Sequence, residues 1–183
     1  MIFSLTGFMG SGKSRVGKEV SSLLGCPYVD LDAYIEDSWD ETIPEIFARG
    51  GEELFRKIES SALKEVIPYP DSNPVCGPPT VLSLGGGTLV KEENAALVKS
   101  STFCIYLRAG VDTLVTNLEN DSEGRPMLKG EDLRERITTL MKERESTYSG
   151  CASKIIDIDG RDFDGIAREI AAFISKNYPS STE

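Results

Sequence analysis

The sequence contains no histidine among its 183 residues. Without an imidazole, Ser–His–Asp and Cys–His catalysis are excluded, and a carboxylate or a lysine is left to accept a proton. The four cysteines are scattered and form no Cys-x-x-Cys pair, so we expect reduced thiols rather than a zinc site. The chain has no apolar run of about 18 residues and no basic signal-peptide region at its N-terminus. We therefore expect a cytoplasmic protein that has no membrane partner.

The chain also lacks an excess of basic residues, since its formal net charge is −10. A general nucleic-acid binder presents a basic face, so we expect no nucleic-acid partner, and any anion must be bound by a local cluster of donors. Apolar residues make up 39% of the sequence, which is an ordinary globular proportion. There is no internal repeat and no second core. We expect one domain over residues 1–178, a flexible tail over 179–183, and a monomer.

Short β-rich apolar runs alternate with helical patterns along the chain. The runs lie at 2–6, 28–32, 80–85, 103–108 and 154–158. The helices are predicted at 13–24, 51–67, 91–99, 131–148 and 162–177, with one more beginning near Val111. This alternation predicts a three-layer α/β/α domain around a five-stranded parallel sheet. Five of the nine prolines fall within 68–79, which we expect to be an exposed, inserted loop.

A phosphate-binding motif occupies the first predicted strand–helix connection. The segment GFMGSGKS at 7–14 fits G-x-x-x-x-G-K-[ST] without a mismatch. Its glycines allow the backbone to approach an anion closely, and the following helix N-terminus adds partial positive charge. Lys13 can reach the β- and γ-phosphates and the Ser14 hydroxyl can ligate magnesium. The motif predicts a bound nucleoside triphosphate, whereas a glycine-rich turn without a ligand is the alternative.

Two absences narrow the class of nucleotide-binding protein. The sequence has no N-K-x-D motif for reading guanine, which counts against a GTPase. The strand predicted at 80–85 leads to Ser83 and the glycines 85–87 rather than to a Walker B aspartate, which counts against an ordinary ATPase. Three glycines after a strand allow a ligand to approach the backbone, although a plain tight turn is the alternative.

Two carboxylates stand at the end of the second predicted strand. Asp30 and Asp32 are two residues apart, so on a strand their side chains point to the same face. Ligands of open α/β sheets bind beyond the carboxyl ends of the strands. One carboxylate could help to hold magnesium while the other accepts a proton from an attacking hydroxyl. Alternatively, Asp32 is a helix N-cap.

Three arginines are candidates for anion binding. Arg144 falls on the apolar stripe of its helix, where a guanidinium needs an anion or a carboxylate. In the helix predicted at 51–67, Arg56 and Glu59 lie off the apolar stripe and on one shared face. The two could form a solvent-exposed pair, or Arg56 could bind a substrate carboxylate together with Arg144. Arg125 lies in the polar segment 119–126, which could be a lid or a surface loop.

Taken together, the order and spacing of these motifs resemble those of the shikimate kinase family over residues 2 to about 174. The matching motifs are G-x-x-G-x-G-K-S (7–14), D-x-D (30–32), F-R-x-x-E (55–59), G-G-G (85–87), R-P (125–126) and R-x-x-x-Y (144–148). The resemblance implies a nucleoside-monophosphate-kinase-like fold with a mobile lid over about 112–126. It also implies transfer of the γ-phosphoryl group of ATP to the 3-hydroxyl of shikimate, on the route to chorismate and aromatic amino acids.

The resemblance further implies roles for individual residues. The residues expected at ATP are Gly10, Ser11, Gly12, Lys13, Ser14, Arg15, Arg125 and Arg161. The residues expected at shikimate are Asp32, Arg56, Gly86, Gly87 and Arg144, with Phe47 and Phe55 as walls. One Mg²⁺ per subunit is expected on Ser14, with Asp30 and Ser83 acting through water. The catalytic group comprises Asp32 as the candidate base, Lys13, and Arg125 as the lid arginine.

The sequence departs from the family's pattern in two places. Many members carry an arginine seven or eight residues before the lid Arg-Pro, where it contacts adenine, but this chain has Leu118 and Asn117 there. The proline-rich segment 68–79 is also longer than the family leads us to expect. The competing hypotheses are another small-molecule kinase, such as a gluconate kinase, and a non-catalytic nucleotide-binding regulator.

Overall fold

The structure is a computed structural model that describes residues 1–67, 79–120 and 133–178. A parallel sheet of five strands is ordered β2-β3-β1-β4-β5. The strands are β1 (Ile2–Thr6), β2 (Tyr28–Asp30), β3 (Thr80–Ser83), β4 (Phe103–Arg108) and β5 (Lys154–Asp157). The helices are α1 (Lys13–Leu24), α2 (Leu31–Trp39), α3 (Ile43–Val66), α4 (Glu92–Ser101), α5 (Val111–Asn120), α6 (Leu133–Cys151) and α7 (Phe163–Asn177), and Thr88–Val90 forms a short 3₁₀ turn. The predicted α/β/α class with five parallel strands is confirmed.

The sheet is buried because helices cover it, as its nearly continuous apolar strands require. Phe3, Leu5, Leu82 and Ile105 have no exposed surface. In the parallel register, Leu5 pairs with Ser83 on one side and Ile105 on the other. The loops that follow β1, β2 and β3 therefore open at the same edge of the sheet.

Strand β2 is two residues shorter than predicted, so Asp32 does not lie on the strand as we expected. Strand β2 ends at Asp30, and α2, which was considered only in the alternative that made Asp32 a helix N-cap, begins at Leu31. The Asp30 carboxylate accepts hydrogen bonds from the backbone N–H groups of Asp32 and Ala33. The helix N-cap is thus Asp30, not Asp32, and Asp32 lies in the first helical turn rather than on the same strand face.

Helix α3 begins eight residues earlier than predicted, at Ile43 rather than at residue 51. Thr42 and Glu45 form a reciprocal capping box at its start. Gly51 interrupts the helix with φ 66° and ψ −168°, a conformation that only glycine adopts readily. Gly51, where the predicted helix began, therefore marks a kink inside α3. The other helices predicted with both ends agree with the observed ones to within a few residues.

Three expectations lie wholly or partly outside the described residues: the loop at 68–79 except for its last residue, the tail at 179–183, and the lid segment beyond residue 120. The earlier part of the expected lid, 112–120, belongs to α5. In the three described ranges, no helix combines the length and apolar character needed to cross a membrane.

Candidate active site

The phosphate-binding loop joins β1 to α1 and depends on left-handed glycines. Gly10 and Gly12 have φ values of 79° and 78°, and Gly12 is also the N-cap of α1. A side chain at Gly12 would place its Cβ 2.3 Å from Cε1 of Phe163, so the loop backbone lies directly against that ring. The N-terminus of the twelve-residue helix α1 therefore faces the cavity, through a backbone conformation at Gly12 that residues with a side chain rarely adopt.

Lys13 folds back over this loop. Its Nζ donates to the carbonyl oxygens of Gly7 and Phe8, each at 2.9 Å, and only 8% of the residue is exposed. These contacts hold the ammonium group beside the backbone that would cradle phosphate. Ser11 is completely buried within the same loop, and its hydroxyl has no hydrogen-bond partner among the described residues.

A cavity of about 850 Å³ opens at the sheet edge beside the loop. The predicted site residues that line it are Gly10, Gly12, Lys13, Ser14, Arg15, Asp30, Asp32, Phe47, Phe55, Arg56, Gly86, Gly87 and Arg144. Ser11, Ser83 and Arg161 do not line it, and Arg125 lies outside the described residues. The structure thus brings residues from seven elements or loops into one space, although they are up to 134 positions apart in the sequence.

Asp30 and Ser83 belong to a polar cluster beneath the start of α1. The Ser83 hydroxyl donates to the carbonyl oxygen of Lys13 at 3.1 Å, and 1% of the residue is exposed. The Tyr28 hydroxyl lies 3.0 Å from Oδ2 of Asp30 and 3.1 Å from Oγ of Ser83. Burial raises the pKa of Tyr28, so its hydroxyl remains a proton donor. The sequence reading missed Tyr28 because it appeared only as a β-former in an apolar run.

Asp32 faces the cavity in an environment that disfavours its charge. Burial, and then the negative charges of Asp30 and Glu59, raise the pKa of Asp32 to about 6, while Lys13 acts in the opposite direction. A Cβ at Gly85 would lie 2.9 Å from Oδ1 of Asp32, so the first of the three glycines makes room for this carboxylate. A carboxylate with this pKa can take up a proton near neutral pH more readily than an ordinary aspartate.

Arg56 is held against the triple glycine by buried partners, so the solvent-exposed alternative is wrong. Nη1 of Arg56 donates to Glu59 at 2.7 Å, and the Thr88 hydroxyl donates to the other Glu59 oxygen at 2.6 Å. Glu59 has no exposed surface although it was predicted to lie off the core stripe. A Cβ at Gly87 would lie 2.3 Å from Nη2 of Arg56, so only glycine lets the guanidinium lie there. Glu52 also bonds Arg56 from the exposed side.

Arg144 is buried, as its place on the apolar stripe predicted, with 8% of its surface exposed. Nη1 lies 3.3 Å from the carbonyl oxygen of Gly86, which also accepts a hydrogen bond from the Tyr148 hydroxyl. The guanidinium lies 5.9 Å from the ring centre of Phe8. Within the described part of the chain, no carboxylate forms an ion pair with Arg144. A buried cation in this setting favours an anionic ligand in the cavity.

The acceptor side of the cavity has an apolar wall. The rings of Phe47 and Phe55 lie 4.9 Å apart, centre to centre, on opposite sides of the kink at Gly51. Ile43 and Pro44 continue this wall. A small ligand with one charged end and a carbon ring would meet both kinds of surface here.

At the end of the cavity opposite to this wall, two of the arginines that were expected at ATP bond other protein groups. The guanidinium of Arg15 lies 5.2 Å from the ring centre of Phe163 and pairs with Asp164 at 3.3 Å. Asn117 donates to the carbonyl oxygen of Gly10 at 2.8 Å, so it supports the loop itself. Arg161 instead bonds the carbonyl of Asp157 and the carboxylate of Glu169. Phe163 and Asn117 line the cavity but were not predicted as site residues.

The phosphate-binding loop, the Asp32 carboxylate and the two arginines Arg56 and Arg144 surround one cavity. This arrangement defines a small-molecule kinase of the P-loop class. The sequence model of the family described as Shikimate kinase matches residues 9–175. A shikimate kinase from Dictyoglomus turgidum is 40% identical over 169 residues, covering 91% of this chain and 93% of that protein. The chain therefore belongs to the shikimate kinase family, whose enzymes transfer phosphate from ATP to an alcohol group of shikimate.

Solved structures agree with this assignment. A shikimate kinase from Acinetobacter baumannii, in complex with shikimate, superposes with a TM-score of 0.85 at 29% identity, covering 97% of this chain and 94% of that one. A gluconokinase from Sinorhizobium meliloti superposes with a TM-score of 0.60 at 15% identity, covering 95% of this chain and 91% of that one. At that identity the second likeness shows the fold alone, so the family assignment favours shikimate over gluconate.

Proposed function

We propose that the protein transfers the γ-phosphoryl group of ATP to the 3-hydroxyl of shikimate, yielding shikimate 3-phosphate and ADP for chorismate and aromatic amino acid synthesis. The observation that carries this proposal is the single cavity with Lys13 at one side and Arg56 and Arg144 at the other. The related protein from A. baumannii binds shikimate with the same fold, which supports the choice of acceptor. A cytoplasmic monomer of one domain over 1–178 is part of the proposal.

At the acceptor side, Arg56 and Arg144 bind the shikimate carboxylate by charge-assisted hydrogen bonds. Glu59 and Thr88 fix Arg56 in place, so the substrate meets a guanidinium whose position is already set. The backbone of Gly86 and Gly87 lies beside the carboxylate, and Phe47 and Phe55 contact the carbon ring. These contacts position a hydroxyl near Asp32, which accepts its proton or orients it.

At the nucleotide side, Gly10, Ser11, Gly12, Lys13, Ser14 and Arg15 bind the phosphates of ATP. Lys13 and the N-terminus of α1 stabilise the charge that develops on the transferred group. Arg125 acts as a lid arginine on the same group, in a lid over about 112–126. For the adenine, Arg161 remains the proposed contact, although its side chain bonds Asp157 and Glu169 here.

The residues present fit one Mg²⁺. Ser14, Asp30 and Ser83 offer oxygen atoms only, which is the donor type that Mg²⁺ prefers. In the three described ranges, no cluster of three or more His, Cys, Asp or Glu residues could hold a metal ion, which suits a cation carried mainly by phosphates. Ser14 would hold it directly, and Asp30 and Ser83 through water. When bound, Mg²⁺ would neutralise part of the negative charge on the phosphates.

A substrate panel tests the proposal. Purified protein with Mg²⁺ and ATP is given shikimate, gluconate or a nucleoside monophosphate in an assay that couples ADP release to NADH oxidation. We expect turnover with shikimate alone, and its loss in Lys13→Ala. Turnover with gluconate instead would favour the other kinase, and ATP binding without shikimate-dependent turnover would favour the non-catalytic regulator. Either result from folded, magnesium-loaded protein contradicts the proposal.

A further inference from the structure

The Tyr28 hydroxyl occupies the centre of the polar cluster below the phosphate-binding loop. It reaches three elements at once: Oδ2 of Asp30 at 3.0 Å, Oγ of Ser83 at 3.1 Å and the carbonyl oxygen of Ser14 at 3.3 Å. These three residues are the ones that the proposed function assigns to Mg²⁺. Tyr28 itself does not line the cavity, so any effect it has passes through the residues that it contacts.

The orientation of the Asp30 carboxylate depends on both of its oxygens. Oδ1 accepts from the backbone N–H of Asp32 at 3.1 Å, so it belongs to the cap of α2. Oδ2 faces the Tyr28 hydroxyl. Without the hydroxyl, the cap would still hold one oxygen, but the rotation of the carboxylate would lose its second restraint. The phenol therefore sets which lone pairs of Asp30 are turned toward the loop.

A second, independent feature shows that the fold makes space for this tyrosine. Gly17 lies inside α1, where glycine is less favourable than alanine. A Cβ at Gly17 would lie 2.6 Å from Cε2 of Tyr28 and 2.7 Å from Oγ of Ser83. The helix therefore passes close over the ring and the serine, which explains why a glycine stands there.

We infer that Tyr28 is a positioning residue for the magnesium site: its hydroxyl orients Asp30 and Ser83 so that their oxygens can hold the water molecules of a nucleotide-bound cation. The inference rests on the proposed function, because that function assigns Asp30 and Ser83 to Mg²⁺. Tyr28 makes no contact with substrate in this account and takes no part in proton transfer.

The test compares Tyr28→Phe with a matched control in the same protein. Tyr28→Phe removes the hydroxyl and keeps the ring that packs against Gly17. Tyr34→Phe makes the same chemical change at a hydroxyl that donates to Glu65 at 2.9 Å on the exposed side of α2. The affinity for Mn²⁺, a spectroscopic substitute for Mg²⁺, is measured by electron paramagnetic resonance in the presence of saturating ADP, with ADP alone as the blank.

We expect Tyr28→Phe to raise the Kd for Mn²⁺ by about 3- to 10-fold, the effect of one lost hydrogen bond to a metal-holding group. The Kd for metal-free ADP and the KM for shikimate should change by less than about twofold, and Tyr34→Phe should match the wild type throughout. Equal Mn²⁺ affinity in Tyr28→Phe and the wild type would overturn the inference. So would an equal loss of metal-free ADP binding, because that would indicate a distorted loop.

Asp30→Asn separates this inference from the proposed function. If Asp30→Asn leaves the Kd for Mn²⁺ unchanged, the proposed metal role of Asp30 is wrong, and the inference fails with it. If Asp30→Asn weakens Mn²⁺ binding and Tyr28→Phe does not, the metal role stands and only the inference fails. If Tyr28 acts through Asp30, adding Tyr28→Phe to Asp30→Asn should weaken binding less than it does in the wild type.

Discussion

The raised pKa of Asp32 should make the stability of the folded protein depend on pH. This dependence can be measured without substrate or metal. A rise from the ordinary 3.8 to about 6 means that the folded protein holds a proton more tightly than the unfolded chain does. Between about pH 4 and pH 6 the native state therefore binds more protons, and its stability falls as the pH rises. At about pH 6 the carboxylate is half charged in the folded protein, and above about pH 7 it is charged in both states and the loss is essentially complete.

The substitution Asp32→Asn removes this titration and keeps the shape of the side chain. A pKa change of this size corresponds to at most roughly 3 kcal/mol between the two protonation states. We expect the free energy of unfolding of Asp32→Asn, relative to the wild type, to increase by about 1–3 kcal/mol from pH 4.5 to pH 7.5. Taking the difference between the two proteins cancels the titration of the other carboxylates.

The assay is urea unfolding followed by circular dichroism, in EDTA and without nucleotide or shikimate. Asp37→Asn, at an exposed position on the same helix, is the control for removing a carboxylate from α2. A pH-independent difference for Asp32→Asn would refute the reasoning, because burial and the neighbouring carboxylates would then have no net effect on the charge of Asp32.

Three kinetic predictions concern the acceptor side of the cavity. Asp32→Asn should lower kcat by about 10²- to 10⁴-fold and leave the Kd for ATP within about twofold, as measured by initial rates and calorimetry; near-wild-type turnover would exclude the base role. Arg144→Ala should raise the KM for shikimate by about 10- to 100-fold and spare the KM for ATP, and an equal rise in both would show that Arg144 is not a substrate clamp. Gly87→Ala should also raise the KM for shikimate, because its Cβ would lie 2.3 Å from Nη2 of Arg56; an unchanged KM would show that the guanidinium can move without cost.

Much of the fold could be predicted because the signals were local. Continuous apolar runs marked all five strands, and the phosphate-binding motif placed the first turn correctly. Helix α2 was considered only as an alternative, with its cap at Asp32, because Asp30 both ends the strand and caps the next helix, so the strand pattern and the cap overlap within three residues. The start of α3 was misplaced because Gly51 is the residue at which the helix bends, and a glycine can stand both at a helix boundary and at a kink.

The candidate site was predictable where a residue was conspicuous in its local pattern. Arg144 on an apolar stripe was such a residue, and it is buried beside the cavity. Glu59 was judged wrongly because its burial depends on Thr88, which lies 29 positions away and bonds it only in the folded protein. Tyr28 and Phe163 were missed because nothing local distinguishes an aromatic residue of a site from one of the core. Long-range contacts of this kind are not visible in a single sequence.

The central claim is that one cavity presents the 3-hydroxyl of shikimate to the phosphate held by the loop around Lys13. The most direct test is to identify the product formed from shikimate, Mg²⁺ and ATP by proton–phosphorus correlation NMR. The account predicts a single phosphate ester, coupled to the proton on carbon 3, formed in an amount equal to the ADP released. An ester at another hydroxyl, or ADP release without any ester, would contradict it.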